Sequence, residues 1–495
     1  MIRLQSFGAQ RSSVSHTALI IISLVAAIGV GILALSQPVP VMVIVGVILA
    51  CLVLATIHPI AVLIPLLILG PMRVLISTEA AFQLPLDIGQ IALVVFFASW
   101  AIQRIIRLNV TSLRLADLWT PLSGALLLFI VATGLSAFAA TSLTAWALEW
   151  TKWVLVFVLF TVVVNLFSTI SWEWLVFALV LSGLANALVG IYEFFGGSGA
   201  LVLLINDRFF RAFGTFGQPN PFGGFMGLLI PLSIMSAVGY AIRWRKSLPE
   251  GKSLNLFLAI FYALSSVILL IAIGMSWSRG AWLGLGAALL IMGFLIPRRL
   301  RIGALFFVVI AGVGLIVWFS GLVPQSIVQR LQTSTEEFFA FEDVRGVDIT
   351  PENFAVAERL AHWQAAINMI TAHPFLGVGF GNYAAAYPSY QLINWNEPLG
   401  HAHNYYLNIF AEVGIIGLLV YGKVWGTIFH RTWQAACHPD ILSRLVIIGL
   451  LGAWVYLSVH SFFDNLYVNN IFFHLAVMFS IVVLVLKEAK ASVRI

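Results

Sequence analysis

Charge is what this sequence has least of. Its 495 residues carry 26 Lys and Arg and 20 Asp and Glu, so charged side chains make up 9% of the chain while hydrophobic residues make up 61%. Mean hydropathy is +1.01. So few charges cannot cover a globule of 54.2 kDa in water, which excludes a soluble enzyme, a disordered scaffold and a free nucleic-acid binder. Cysteine is nearly absent as well. Cys51 sits in an apolar run and Cys437 in a basic loop, which leaves no disulfide framework and no redox or metal motif. Long internal repeats and low-complexity segments are also missing.

Long apolar runs are abundant. Stretches able to cross a hydrocarbon core of about 30 Å fall near residues 17–35, 39–57, 59–76, 88–102, 118–138, 145–167 and 171–193, and again near 220–241, 254–275, 281–297, 302–320, 404–422, 445–462 and 470–487. The expected fold class is an all-α polytopic membrane protein with 12–14 transmembrane helices and one large outer loop carrying an amphipathic helix. The first run is too long, and too poor in small-residue cleavage signals, to read as a removable signal peptide. The sequence divides into N-terminal helices over 1–193, helices with arginine-bearing loops over 194–320, the large loop over 321–403, and C-terminal helices over 404–495.

The net charge of +6 reads as a membrane orientation. With the N-terminus in the cytoplasm, the inner segments collect 18 of the 26 cations, among them Arg243, Arg245, Lys246, Arg298, Arg299 and Arg444. The positive-inside rule then puts both termini in the cytoplasm, with the chain in the cytoplasmic membrane. Seven arginines remain on the outer side: Arg73, Arg208, Arg211, Arg279, Arg330, Arg345 and Arg359. In the 321–403 loop, Phe354 to Thr371 places Leu360, Trp363, Ile367 and Ile370 at helical spacing, the pattern of an amphipathic helix on or near the membrane surface. That helix should stop at Pro374, before the glycine-rich GVGFGNY.

Three outer segments could carry chemistry. RFFRAFGTFGQPNPFGG, residues 208–224, offers Arg208 and Arg211, whose planar guanidinium forks suit phosphate oxygens; lipid-headgroup snorkelling is the plainer alternative. SWSRGAW, residues 276–282, holds Arg279, the only formal charge between Lys252 and Arg298. A lone cation in an apolar hairpin needs an anion, or a buried carboxylate such as Glu193 or Asp464. GHAHNYYLN, residues 400–408, holds His401 and His403, whose imidazoles can take a proton from a hydroxyl near neutral pH or merely cap a helix. A zinc site would draw further ligands from His373, His460 and Asp464, which show no recognisable ligand spacing. Glu149 and Lys152 are one turn apart and should neutralise each other. Glu193 and Glu412 could orient an arginine or a sugar hydroxyl, HSFFDN (His460 to Asn465) could floor the cavity, and Tyr383, Trp395, Tyr405 and Tyr406 could stack on sugar rings. Two or three fixed cations beside a base at the lipid–water boundary fit a donor with a buried lipid tail and an interfacial diphosphate.

The stretches RAFGTFGQPNPFG, SWSRGAW, ERLAHWQAAINMITAHPFLGVGFGNY and HAHNYYLNIFAEVGIIGL resemble the O-antigen ligase and polymerase superfamily of polytopic glycosyltransferases, over roughly residues 185–425. The resemblance implies transfer of a glycan from an undecaprenyl-diphosphate carrier to an acceptor hydroxyl on the outer face, without metal or other cofactor. It implies that Arg211 and Arg279, with Arg208 beside them, hold the diphosphate and that His403 is the base. His401, Asn404, Glu193, Glu412 and Arg359 are the residues expected to support them. The expected partners are the lipid-linked glycan, a glycan or lipid-core acceptor and the bilayer, with no nucleic acid. A ligase would use a lipid A core sugar or a related acceptor, and a polymerase another lipid-linked repeat unit. A bicarbonate-type transporter is the reading from a different class, and charges gathered at one face speak against it, since transporter sites lie near the midplane.

Overall fold

The computed structural model describes residues 59–72, 87–106, 119–166, 171–197, 203–205, 208–323, 343–350 and 353–493, with a few isolated positions besides. The expected spans near 17–35 and 39–57, with Cys51, Arg73 and Arg330, lie outside the described residues.

Hydrophobic runs become helices here because a backbone without water must satisfy its polar groups internally. In chain order they are α1 (Pro59–Leu69), α2 (Ile88–Ile106), α3 (Pro121–Leu135), α4 (Leu143–Leu166) and α5 (Glu173–Tyr192). A minimal antiparallel hairpin follows, β1 (Leu204–Ile205) with β2 (Phe209–Phe210). Then come α6 (Pro219–Lys246), α7 (Pro249–Met275), α8 (Arg279–Leu295), α9 (Leu300–Phe319), α10 (Phe354–Ala372), the short α11 (Tyr383–Ala386), α12 (Tyr405–Ala435), α13 (Ile441–His460) and α14 (Ile471–Val493). Among the described residues nine helices are long and apolar enough to cross a membrane, with three shorter apolar helices at 61–72, 88–102 and 279–295.

Helix α6 forms the centre, packed along α7 and α13, while α8 lies on α13, α14 on α4 and α12 on α3. Close approach of α6 to α13 depends on Gly227, where a Cβ would run into the Tyr456 ring. The Tyr456 hydroxyl then donates to the Gly223 carbonyl at 2.9 Å. This contact ties the start of α6 to the end of α13. Helix α9 packs on α8 and leaves most of its apolar surface exposed, as suits a helix facing lipid.

The two ends of the bundle differ in chemistry. Arg444 donates to the carbonyls of Leu295 and Ile296 at 2.8 and 2.9 Å, capping the C-terminal end of α8, where a cation complements the helix dipole. Arg243 pairs with Glu173 at 2.8 Å and Asp440 at 3.5 Å. Arg279 begins α8 at the opposite end, about 25 Å away at 1.5 Å per residue. Near the start of α4, Lys152 and Glu149 form the expected pair, at 2.5 Å.

The large loop folds onto the Arg279 end. Helix α10 matches the expected helix closely, but its packed face does not. Val356, Ala357, Ala361, His362, Ala365, Ala366 and Met369 are buried, whereas Ile367, part of the expected apolar stripe, is 49% exposed. Small residues let α10 approach α12 and the 378–402 segment closely, so α10 is a packed element of the protein and not an isolated surface helix.

Candidate active site

The arginine loop is held by backbone before any side chain acts. Arg211 donates its amide to the Leu203 carbonyl at 2.8 Å, and Ala212 donates to the Met275 carbonyl at 3.0 Å. The Arg211 guanidinium continues the same contact, with Nε donating to the Ser276 carbonyl at 3.1 Å. Two longer contacts, at 3.4 and 3.5 Å, reach Asn220 Oδ1 and the Trp277 carbonyl. The loop from 211 is thereby clamped onto the α7–α8 turn that presents Arg279. The Glu193 carboxylate accepts from the amides of Phe213 and Gly214 at 2.9 and 2.6 Å. Gly214 sits at φ +53, a conformation that costs glycine little.

Arg211, Arg279 and Arg359 lie within electrostatic range of one another. Burial, reinforced by the like charges of Arg279 and Arg359, pushes Arg211 down to about 10. Three guanidiniums held together in a partly desolvated place repel one another, so an anion bound among them would relieve that repulsion.

On the other side stand the histidines. His401 Nδ1 accepts the backbone amide of His403 at 3.0 Å, so in the neutral ring the proton sits on Nε2. That nitrogen faces Asp464 Oδ1 at 3.4 Å. His403 Nδ1 is 3.7 Å from the same oxygen, beyond a hydrogen bond, and its two buried ring nitrogens have no hydrogen-bond partner among the described residues. Packing holds the ring instead: centroids lie 4.4 Å from His401 and 5.8 Å from His362, both edge-on. The backbone of His403 is left-handed, φ +52, a strained state for a non-glycine residue.

Burial pushes His401 down to about 4, against the pull of Asp464 and with the help of His403 and Arg359. His362 falls to about 4 by burial and by the two histidines. For Asp464, burial acts upward, but His403, His401 and Arg359 hold the carboxyl well below the usual range. Glu358, one turn before His362, is raised by burial, against the charges of His403 and Arg359.

The two halves meet through α13. Gly280 packs against the ring of His460, where a Cβ would come within 2.9 Å. His460 Nδ1 meets the Tyr456 hydroxyl at 3.0 Å, and the Ser461 carbonyl accepts the Tyr405 amide at 2.8 Å. HSFFDN thus lies between the arginine turn and the histidine loop.

Residues 264–422 match the family model described as O-antigen ligase. The match, over about a third of the chain, supports the O-antigen ligase superfamily. In general terms it supports an O-antigen ligase-like membrane glycosyltransferase. The matched segment carries Arg279, α10 and both loop histidines, whereas Arg211 and Asp464 join the site from outside it. No curated protein matches the chain.

In this O-antigen ligase-like protein several expected residues take other places. Arg208 is exposed, its guanidinium 5.0 Å over the Phe209 ring. Expected to orient an arginine or a sugar hydroxyl, Glu193 here braces the backbone of the arginine loop, and Glu412 accepts from the Tyr383 amide at 3.2 Å. Asn404 caps α12 by accepting from the amides of Tyr406 and Leu407. Tyr383, Tyr405 and Trp395 are buried, so they build the core and offer no face to a sugar. His362 was not singled out in the sequence, because one histidine on a helical pattern carries no signal of its own.

The ligand atoms of His401, His403 and Asp464 lie within 4.8 Å of one another, a set able to hold a metal ion. The sequence had placed Asp464 among several scattered metal-ligand candidates; of these, His373 instead meets the Tyr390 hydroxyl at 3.0 Å. Arg359 acts on His401, His460 and Asp464 together. The positive charge of Arg359 opposes a divalent cation there.

Proposed function

We propose that this chain transfers a glycan from an undecaprenyl-diphosphate carrier to an acceptor hydroxyl at the outer face of the cytoplasmic membrane, in the manner of a ligase. The observation that carries the reading is the meeting of Arg211, Arg279 and Arg359 with a histidine–carboxylate cluster at one end of the bundle. The guanidiniums bind the diphosphate while the polyprenyl tail stays in lipid. The acceptor oxygen attacks the anomeric carbon as its proton passes to a ring nitrogen of His403. The bond from that carbon to the diphosphate breaks, and its electron pair leaves on the phosphate oxygen. The arginines stabilise the charge that develops, and Asp464 stabilises the imidazolium. A single displacement inverts the anomeric centre. No metal takes part in this scheme.

The test is reconstitution of the full chain in liposomes with lipid-linked glycan and candidate acceptors. Transfer should survive a chelator. In His403→Ala it should fall by about 10²–10⁴, the usual worth of a general base, while donor binding stays near the parent value. An equal loss of donor binding and turnover, or transfer abolished by the chelator, would overturn the assignment.

A further inference from the structure

Beyond the reacting groups, α10 carries a second feature at its other end. A groove of about 450 Å³ is lined by Asn368, Thr371, Ala372, Ser389, Tyr390 and Gln391, a volume within the range of about 300–1,000 Å³ typical of small-ligand sites. Its lining is two carboxamides, two aliphatic hydroxyls, one phenol and a methyl. None of these six lining residues carries a carboxylate, ammonium or guanidinium. An anionic headgroup or a free phosphate would find no counter-charge there, whereas neutral hydroxyl-rich ligands find donors and acceptors of their own kind and an aromatic body against which a sugar's C–H face can rest.

Asn368, Thr371, Ala372 and Ser389 are exposed, and neighbouring contacts hold the groove's polar groups in place. The Tyr390 hydroxyl is fixed by His373 Nε2 at 3.0 Å, and the amides of Tyr390 and Gln391 both donate to the Tyr387 carbonyl, at 2.9 and 2.8 Å. Gln391 Nε2 donates to Asn396 Oδ1 at 3.2 Å, which turns the remaining carboxamide oxygen into a fixed acceptor. Thr371 spends its hydroxyl proton on the Ile367 carbonyl at 2.8 Å and keeps its lone pairs. The same frame reaches the reacting centre: Tyr387 stacks on His362 at 4.8 Å, and His362 meets His403 edge-on. Along α10, the groove lies about 9–15 Å from His362 at 1.5 Å per residue. That is a reach a short oligosaccharide covers.

We propose that this groove is an oligosaccharide subsite, holding a neutral stretch of glycan some sugars away from the bond that is made. It rests on the glycosyltransferase reading, and it predicts that the protein senses more than the sugar at the reducing end.

The probe is the free oligosaccharide released by mild acid from the host's lipid-linked glycan, mixed with the full chain in detergent and followed by saturation-transfer NMR. Tyr390→Ala/Gln391→Ala should weaken binding about tenfold, the worth of one or two lost hydrogen bonds. Thr371→Val, an isosteric change at an exposed site, should weaken it less and keeps the test alive if the double variant does not fold. Binding that is the same in parent and variants overturns the subsite. In the transfer assay, short and long donors, then short and long acceptors, separate the two sources of the glycan: the variants should lower kcat/KM for the long form in one arm and spare the short form. Equal loss for short and long forms in both arms overturns the subsite, because it marks a structural defect. Groove-dependent binding in a chain that transfers nothing would keep the subsite and refute the reaction; transfer indifferent to the groove would do the reverse.

Discussion

At the scale of single residues, Asp464 does the most with the least. One oxygen, Oδ1, faces both His401 Nε2 and His403 Nδ1, so a single carboxylate sets the field for both rings. Asp464→Asn keeps the shape and removes the charge that stabilises an imidazolium. It should lower kcat at least about tenfold, less than the about 10²–10⁴ lost with the base itself, and leave the KM for the donor unchanged. Steady-state rates on the reconstituted variant measure this, and a raised donor KM with intact kcat would contradict it.

The histidines also predict a pH dependence of stability. His362 and His401 are held near 4 in the folded chain, against about 6.5 when free. Between those values the unfolded chain binds more protons, so stability is full above about pH 6.5 and is lost as pH falls toward 4. Melting temperature in detergent should drop across that window, and His362→Gln should flatten the drop. A melting temperature constant from pH 7 to 4 would show that neither buried ring is linked to folding.

The arginines and the His401–His403 pair were legible because each is a costly residue in an apolar or glycine-rich setting. Asp464 was visible only as one of several possible partners. It lies 61 residues beyond His403, and nothing local in SFFDN points back to the loop.

At the scale of elements, the decisive device is a broken helix. Helix α12 contains Gly414 at φ +63, ψ −169, and the chain from Pro374 threads through the break. Ile415 donates to the Pro374 carbonyl, while Val378 and Gly379 take the carbonyls of Ala411 and Glu412, all at 2.9 Å. Backbone groups freed by the break are thus satisfied by the loop, as irregular backbone at membrane depth requires. A Cβ at Gly414 would strike the backbone of Phe375 and Leu376. Gly414→Ala should therefore cost more than the about 1–3 kcal/mol of left-handed strain alone and unseat the 374–403 segment that presents the histidines. Thermal unfolding should show the loss, and limited proteolysis should cut that segment first; a variant as stable and resistant as the parent would refute it. The sequence shows the glycines of GVGFGNY but not their partner, since a hydropathy window reads α12 as continuous. The buried face of α10 was hidden for a related reason. Alanines score weakly in an amphipathic pattern, yet they are what permits close helix contact.

At the scale of the whole molecule, charge is sorted along α8. Arg279 opens the helix within the candidate site, and Arg444 closes it beside Arg298. A transporter would be expected to collect its ionisable residues along a route near the midplane, whereas the candidate site here is gathered at one end. The positive-inside rule assigns the Arg444 end to the cytoplasm, and Cys437 reports on that assignment. It is exposed in the turn between α12 and α13, three residues before Asp440, which pairs with Arg243 at the same end. With Cys51 changed to Ser, an impermeant maleimide should leave Cys437 unlabelled in intact cells and label it in inside-out vesicles. Arg345→Cys, an exposed position on the α10 side, should behave in the opposite way once Cys437 is also replaced by Ser. Labelling of Cys437 from outside would turn the whole bundle over and carry the arginine–histidine cluster to the cytoplasm. A lipid-linked glycan already delivered to the outer leaflet could not then be its substrate.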